Sequence, residues 1–245
     1  MSCAAIIPCR YASTRFPGKP LAMIGGKPMM WHVYQRAIES GVADQIYIAT
    51  DDERIASVCR DLKLDVIMTA STHFAGTDRV AEAALKVAAD LIVNVQGDEP
   101  LINPEAIAAV VNAMQSCTLS DVAATNGCAI LDNEDELRSN NVVKVVKSGS
   151  GFAIGFSRYP IPFPRNGQPV YRRQMGLYCF RKDALALFSR TEPGPIERAE
   201  SVEMLRFLEA DQRVLMIDVE DHSIPVDTPE DLERARAEMT KLLMV

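Results

Sequence analysis

Arg10, Arg15, Lys19 and Lys27 crowd into one short stretch, directly after an apolar run that ends at Pro8. The segment from Pro8 to Pro20 also holds Gly18, which lets a backbone come close to a ligand, and the small residues Ser13 and Thr14. Guanidinium, ammonium and backbone N–H groups gathered in one loop are what a polyphosphate needs. The competing explanation is a basic loop that simply faces water. The loop follows neither G-x-x-x-x-G-K-[ST] nor G-x-G-x-x-G, so it is neither a Walker loop nor a dinucleotide fingerprint.

Two carboxylates fall at comparable places. Asp98 stands just past the apolar run LIVNVQ, and Asp227 stands just before TPEDLE. Each also has a purely structural explanation. Asp98 fits a Gly-Asp turn. Asp227 fits dipole compensation at a helix start, with Thr228 as N-cap, Pro229 at the first helical position and Asp231 completing an acidic first turn. The functional explanation is a metal. Mg²⁺ takes hard oxygen ligands and often uses one or two carboxylates together with phosphates.

The chain that must position these groups has 245 residues and a net charge of -7. An acidic protein with a local basic cluster points to a small anionic ligand and away from duplex nucleic acid. Aromatic residues make up 6% of the chain, too few for a base-stacking platform. The six cysteines form no C-x-x-C pair and lie mostly in apolar runs, which predicts free thiols in a reducing, cytoplasmic compartment. No apolar run reaches the ~18 residues of a membrane span, and the first residues lack a signal-peptide pattern.

Short apolar runs alternate with helical patterns. AAIIP, QIYIAT, LDVIMT, LIVNVQ and DVAATN read as strands. KPMMWHVYQRAIES, DDERIASVCRDLK, TDRVAEAALKVAAD and NPEAIAAVVNAMQ read as helices, the last with Asn103 as N-cap. Strict alternation predicts an α/β fold with a mostly parallel, doubly wound sheet. After about Ala129 the order changes. VVKVVK, FAIGFSR, QMGLYCFR and RVLMIDVE read as strands, PIERAESVEMLRFLEA as one amphipathic helix and DTPEDLERARAEMTKLL as the last helix. The proline-rich YPIPFPRNGQPVYRR excludes a regular helix. The expectation is a single domain over 1–245, with a hairpin-like insertion around 157–175 and mixed strands closing the sheet.

The loop IPCRYASTRFPGKPL resembles the opening loop of the 3-deoxy-manno-octulosonate (Kdo) cytidylyltransferases, the CMP-Kdo synthetases. ATDDERI, GTDRV, VNVQGDEPLI, FSRYPIP, GLYCFR, ERAESVEMLR and VDTPEDLE match further landmarks of that family, in order, over nearly the whole chain. The resemblance implies a nucleotidyltransferase fold and usually a homodimer, with the dimerisation region in the insertion. It implies transfer of CMP from CTP to the anomeric hydroxyl of a 3-deoxy-2-ketoaldonic sugar, with release of pyrophosphate and use of Mg²⁺. The product would serve lipopolysaccharide or capsule synthesis. Arg10, Ser13, Arg15 and Lys19 would grip the CTP phosphates, with Pro8 beside the base. Asp98 and Asp227 would be the metal ligands, and with Lys19 they form the expected catalytic set. Gly76, Thr77, Arg79 and Gln96 would line the base and ribose pocket.

For the sugar acid, Arg158 is the expected partner of the carboxylate, with Arg165 a weaker one. Glu200 and Glu203, on one face of the expected helix, would bind hydroxyl groups; the competing explanation is ion pairing with Arg198 and Arg206. Gln174 departs from the family, which usually has His just before the Gly-hydrophobic-Tyr strand. If Gln174 faces the sugar, it offers an amide where the family offers an imidazole, and the substrate is then Kdo or a close variant altered on its side chain. His32, His73 and His222 are assigned no catalytic part. Two rival functions stay open: a nucleotidyltransferase of the same superfamily acting on another sugar, and a non-catalytic nucleotide sensor.

Overall fold

The structure, a computed structural model, describes residues 1–13, 15–73, 75–220 and 223–242; Thr14 and His222 lie outside them. The chain forms two compact units, one of residues 1–108 with 221–245 and one of residues 109–220.

The first unit opens with β1 (Cys3–Pro8), a 3-10 turn (Lys19–Leu21), and a small hairpin of β2 (Met23–Ile24) and β3 (Lys27–Pro28). Gly25 and Gly26 both have positive φ, 52° and 83°, as a two-residue hairpin turn with the twist of its strands requires. Then come α1 (Met29–Glu39), β4 (Gln45–Thr50), α2 (Glu53–Asp61), β5 (Val66–Met68), α3 (Gly76–Ala84) and β6 (Leu91–Val95). Four strands lie parallel in the order β6-β1-β4-β5, with Ile6 opposite both Tyr47 and Asn94. Every residue of β6 and all but the last of β1 are buried, so both faces of these strands are covered. The helix starts follow the sequence. The Asp52 side chain caps α2 by accepting from the Arg54 N–H, and Asn103 accepts from the Glu105 N–H at 3.0 Å to cap α4 (Pro104–Ser116).

The second unit holds β7 (Val122–Ile130), α5 (Glu134–Arg138), β8 (Lys144–Lys147), β9 (Ala153–Ser157), β10 (Arg172–Arg181), α6 (Lys182–Arg190), α7 (Pro195–Glu200), α8 (Leu205–Glu209) and β11 (Arg213–Asp218). Here the pairing is mixed, as expected after Ala129. β11 runs parallel to β7, while β10 runs antiparallel to both β7 and β8. β8 and β9 make an antiparallel hairpin across the SGSG turn. Residues 158–171 contain no regular helix or strand, in line with their prolines.

Two differences from the sequence reading stand out. KDALALFSR forms α6 and buries Leu185 and Phe188, although two anchors in nine residues leave little periodic signal. The single helix expected over PIERAESVEMLRFLEA is broken in two. Ser201 takes the left-handed conformation (φ 52°, ψ 49°) and ends α7, before α8 begins at Leu205. The break lets the Glu200 and Ser201 carbonyls turn outward to Arg158.

The chain returns to the first unit in α9 (Pro229–Leu242). Leu232, Ala235 and Met239 of α9 pack with Ile24, Met29, Leu101 and Val226 in one buried cluster, against which Phe16 and Ala22 also lie. The Arg236 guanidinium donates twice to the Met23 carbonyl. Five of the six cysteines are buried, and all six are free thiols. Among the described residues no helix is long and apolar enough to cross a membrane.

Gly97, just after β6, is needed for space. A Cβ there would stand 2.8 Å from both the Cys9 Sγ and the Pro8 carbonyl oxygen, closer than atoms pack. Gly97→Ala is therefore expected to cost about 1–3 kcal/mol by overpacking, read as a lower Tm by calorimetry. Gly149→Ala, where a Cβ meets nothing within 4 Å, should leave Tm unchanged. Equal Tm values for the two variants would show that the ends of β1 and β6 yield more readily than the packing implies.

Candidate active site

The basic loop leaves β1 at Pro8 and folds back on itself. Gly18, at φ 70°, donates its N–H to the Tyr11 carbonyl at 2.9 Å, and a Cβ on it would lie 3.2 Å from the Tyr11 ring. The Ser13 hydroxyl accepts from the Phe16 N–H at 3.3 Å. The 3-10 turn follows, closed by Leu21 N–H to Gly18 carbonyl at 2.9 Å, with Pro20 buried beneath it. That turn sets the direction of the Lys19 side chain.

The carboxylates arrive from two other segments. After β6, a turn closes with Glu99 N–H to Gln96 carbonyl at 3.2 Å and Ile102 N–H to Glu99 carbonyl at 3.1 Å. The buried Glu99 accepts from the Ser223 hydroxyl at 3.0 Å, and the Val226 N–H donates to the Asp98 carbonyl at 2.9 Å. These bonds tie the Asp98 turn to the segment that carries Asp227. At the start of α9 the Thr228 hydroxyl accepts from the Asp231 N–H at 3.2 Å, and the Asp231 carboxylate accepts back from the Thr228 N–H at 3.1 Å. This is a capping box with Asp at its third position. Asp231 also takes the Asp227 N–H at 3.2 Å. Capping therefore falls to Thr228 and Asp231, and the Asp227 side chain is left for other partners.

Those partners are the loop cations. The Lys19 ammonium donates to Asp98 Oδ2 at 2.8 Å and to Asp227 Oδ1 at 3.2 Å. Arg15 reaches Asp227 Oδ2 at 3.1 Å. Burial acts to lower the Lys19 pKa, but Asp98 and Asp227, through charge and hydrogen bonds, outweigh it and raise it above the ordinary lysine value. Lys19 is thus a firm cation across the physiological range. Among the described residues no group of three or more His, Cys, Asp or Glu converges as a metal site. The donor set is instead a pair of carboxylates from different segments that already meet on one cation. Such a pair suits Mg²⁺, which draws its remaining oxygens from phosphate and water.

The start of α3 lies against the end of β1 and the residue that follows β6. A Cβ on Gly76, the first residue of α3, would come 3.3 Å from Gln96 Nε2 and 3.7 Å from Pro8 Cγ. Pro8, Gly76 and Gln96, three of the residues expected at the base, thus pack against one another. Thr77 is fully buried and Arg10 is exposed at the rim of the loop. Arg79 faces inward. Its guanidinium pairs with Asp51 at 3.2 Å and donates to the Thr69 hydroxyl at 2.6 Å, which joins α3 to the ends of β4 and β5.

The four residues expected at the sugar lie in the second unit. The Arg158 guanidinium donates to three main-chain carbonyls, those of Glu200 (2.6 Å), Asn140 (2.8 Å) and Ser201 (3.0 Å). The Glu200 carboxylate accepts from the Arg158 N–H at 2.8 Å and the Ser157 hydroxyl at 2.7 Å, and these bonds hold its pKa below the usual range. Glu203 stands past the helix break, so it does not share a helical face with Glu200. Arg206 is buried and pairs twice with Glu197, at 2.6 and 2.8 Å, a different glutamate from those expected. Gln174 donates to Asn126 Oδ1 at 2.9 Å, and Asn126 donates to the Met175 and Leu177 carbonyls across the bulge in β10.

The sequence reading passed over Lys144 and Asn94. Lys144 is fully buried, and its ammonium donates to the carbonyls of Ser139, Val142 and Arg158 at 2.7–2.8 Å. A lysine inside VVKVVK carries no periodic sign of which way it points. Asn94 did carry a signal, as a lone amide in the doubly buried run LIVNV. Among the described residues its amide nitrogen and oxygen have no hydrogen-bond partner.

A family model described as cytidylyltransferase matches residues 4–216. The 3-deoxy-manno-octulosonate cytidylyltransferase of Syntrophotalea carbinolica is 44% identical over 99% of this chain and 100% of its own. The enzyme of the same name from Geobacter metallireducens is 43% identical over 98% of this chain and 99% of its own. A solved structure of CMP:2-keto-3-deoxy-manno-octonic acid synthetase complexed with CTP superposes with a TM-score of 0.93 at 37% identity, covering 98% of this chain and 99% of that one. The chain belongs to the cytidylyltransferase family, and its fold is the α/β nucleotidyltransferase fold that the strand–helix alternation and the family resemblance implied.

The Arg158 bonds generate a discriminating test. With three carbonyls as partners, Arg158→Ala should lower stability, on the order of 2 kcal/mol, as measured by urea unfolding. Unchanged stability with a raised KM for the sugar alone would instead assign the guanidinium to substrate.

Proposed function

We propose that the protein transfers CMP from CTP to the anomeric hydroxyl of Kdo and releases pyrophosphate. The observation that carries this is the meeting of Lys19 and Arg15 with Asp98 and Asp227 past the ends of β1 and β6. Arg10, Ser13, Arg15 and Lys19 bind the triphosphate. Pro8, Gly76, Thr77 and Gln96 form the pocket for cytosine and ribose, with Arg79 holding α3 in place. The Gln96 amide, which lies against Gly76, offers the donor and acceptor that a pyrimidine edge needs.

The sugar hydroxyl attacks the α-phosphorus in line, its oxygen forms the new P–O bond and gives up its proton to water, and the bond to the bridging oxygen of the pyrophosphate breaks. Lys19 and Arg15 neutralise the charge that grows on the leaving pyrophosphate, and the protein works chiefly by position and charge. Mg²⁺, held by Asp98 and Asp227, would supply further neutralisation of the phosphates and acidify the attacking hydroxyl. The sugar acid is bound by the region of Arg158, Gln174, Glu200 and Glu203. There Arg158 and Glu200 act as a frame, since their polar atoms are engaged with the chain itself. The rival readings, another sugar substrate or a non-catalytic sensor, are not favoured, because the relatives match over the full chain and both carboxylates are present.

The chain works, in this reading, as one cytidylyltransferase domain in the cytoplasm and as a homodimer. The exposed Tyr159 and Phe163, 76% and 83% accessible in the irregular 158–171 segment, support a subunit contact there.

Mixing CTP, Mg²⁺ and Kdo should release pyrophosphate, while ATP or GTP in place of CTP, or omission of the sugar, should not. Asp98→Ala and Asp227→Ala should each lower kcat at least ~10²-fold without loss of fold. Near-normal turnover in either folded variant would remove that residue from the site.

A further inference from the structure

Asp98 and Asp227 do not wait for a ligand with their oxygens turned to solvent. Lys19 takes one oxygen of each, at 2.8 and 3.2 Å, and Arg15 takes the second oxygen of Asp227 at 3.1 Å. The two cations belong to the phosphate loop, so the groups that would hold the triphosphate are also the groups that now neutralise the carboxylates. With two positive and two negative side chains, the cluster is formally neutral. It is also open to entry, because the Asp98 and Asp227 side chains remain 29% and 37% accessible.

We propose that Lys19 and Arg15 are exchangeable counter-ions of Asp98 and Asp227, released to the triphosphate as a divalent metal takes the carboxylates, so that nucleotide and metal binding are coupled through these two side chains. The proposal rests on the reading of Asp98 and Asp227 as the metal-binding pair.

The physical argument is competition. A metal that prefers hard oxygens seeks the same oxygens that Lys19 and Arg15 hold, and its charge repels theirs. Without nucleotide, every metal that binds must displace or crowd an ammonium that two carboxylates stabilise. With nucleotide present, the cations have phosphate oxygens as new partners, and the carboxylates are released. Each ligand then raises the affinity of the other by the same factor, as linkage requires. The contacts before binding also hold the two carboxylates close together, where two bare carboxylates would repel each other. Lys19 thus serves as a placeholder that keeps the pair assembled at the cost of weaker metal binding in the free enzyme.

The test is Mn²⁺ binding to the full chain, followed by the electron paramagnetic resonance of free Mn²⁺, for wild type, Lys19→Met and Arg15→Met. Without nucleotide, Lys19→Met should bind Mn²⁺ about tenfold tighter than wild type, the scale expected when one contacting charge is removed. Arg15→Met, at a side chain 55% exposed, should shift the same way by less. A non-hydrolysable CTP analogue should tighten Mn²⁺ binding in wild type and tighten it less in Lys19→Met. Near-ultraviolet circular dichroism reports folding, and if Lys19→Met does not fold, Arg15→Met carries the comparison. Affinity equal to or weaker than wild type in the folded variants overturns the exchange. Asp98→Ala and Asp227→Ala separate the two levels of the argument. If they keep wild-type Mn²⁺ binding, the metal assignment fails and the exchange fails with it. If they lose it while Lys19→Met binds as wild type, only the exchange fails.

Discussion

Lys19 joins two carboxylates that lie 79 and 208 residues further along the chain, and this three-way ionic contact sets what the rest of the first unit must do. Two strands must end side by side so that the loop after β1 and the turn after β6 share one edge, which the register of Ile6 with Asn94 provides. A glycine must stand at position 97, because the two strand ends approach too closely for a side chain. The C-terminal segment must come back across the molecule, and the buried cluster of Leu232, Ala235 and Met239 with Ile24, Met29 and Leu101 brings it there. The Val226–Asp98 and Ser223–Glu99 bonds complete the register between the two acidic turns. Helix capping at α9 falls to Thr228 and Asp231, and this leaves Asp227 available for charge chemistry.

Much of this was legible in the sequence, and for identifiable reasons. Doubly buried strands such as Cys3–Pro8 and Leu91–Val95 are continuous apolar runs, and Asn103, Pro104, Thr228 and Pro229 are strong local signals of helix starts. That the loop cations and the aspartates would fall near one another was legible because each follows an apolar run or precedes a helix start. What was not legible depends on partners distant in the chain. The αL conformation at Ser201, which breaks an otherwise periodic helical pattern, places two carbonyls on Arg158. Arg79, expected at the base and ribose, pairs with Asp51, and Arg158, expected at the sugar carboxylate, donates to main-chain carbonyls; neither partner is adjacent in sequence. Lys144 shows the same limit, since nothing local marks it as fully buried.

The second unit uses charge in another way. Lys144, Arg158 and Glu200 bind main-chain groups, so they stiffen the 139–142 turn, the end of β9 and the end of α7 into one frame. Gln174 and Asn126 do the same for the bulge in β10. A buried cation satisfied by neutral carbonyls, as Lys144 is, is costly to desolvate and tolerates little rearrangement. In the first unit, by contrast, Lys19 and Arg15 sit on the partly accessible carboxylates of Asp98 and Asp227.

The most direct measurement is a crystal structure of the protein with CTP and Mn²⁺, with the metal located by its anomalous scattering. The account predicts a Mn²⁺ peak bonded to Asp98 and Asp227, with the Lys19 ammonium on a phosphate oxygen of the nucleotide. A metal bound elsewhere, or a nucleotide whose phosphates lie away from Lys19, would contradict it.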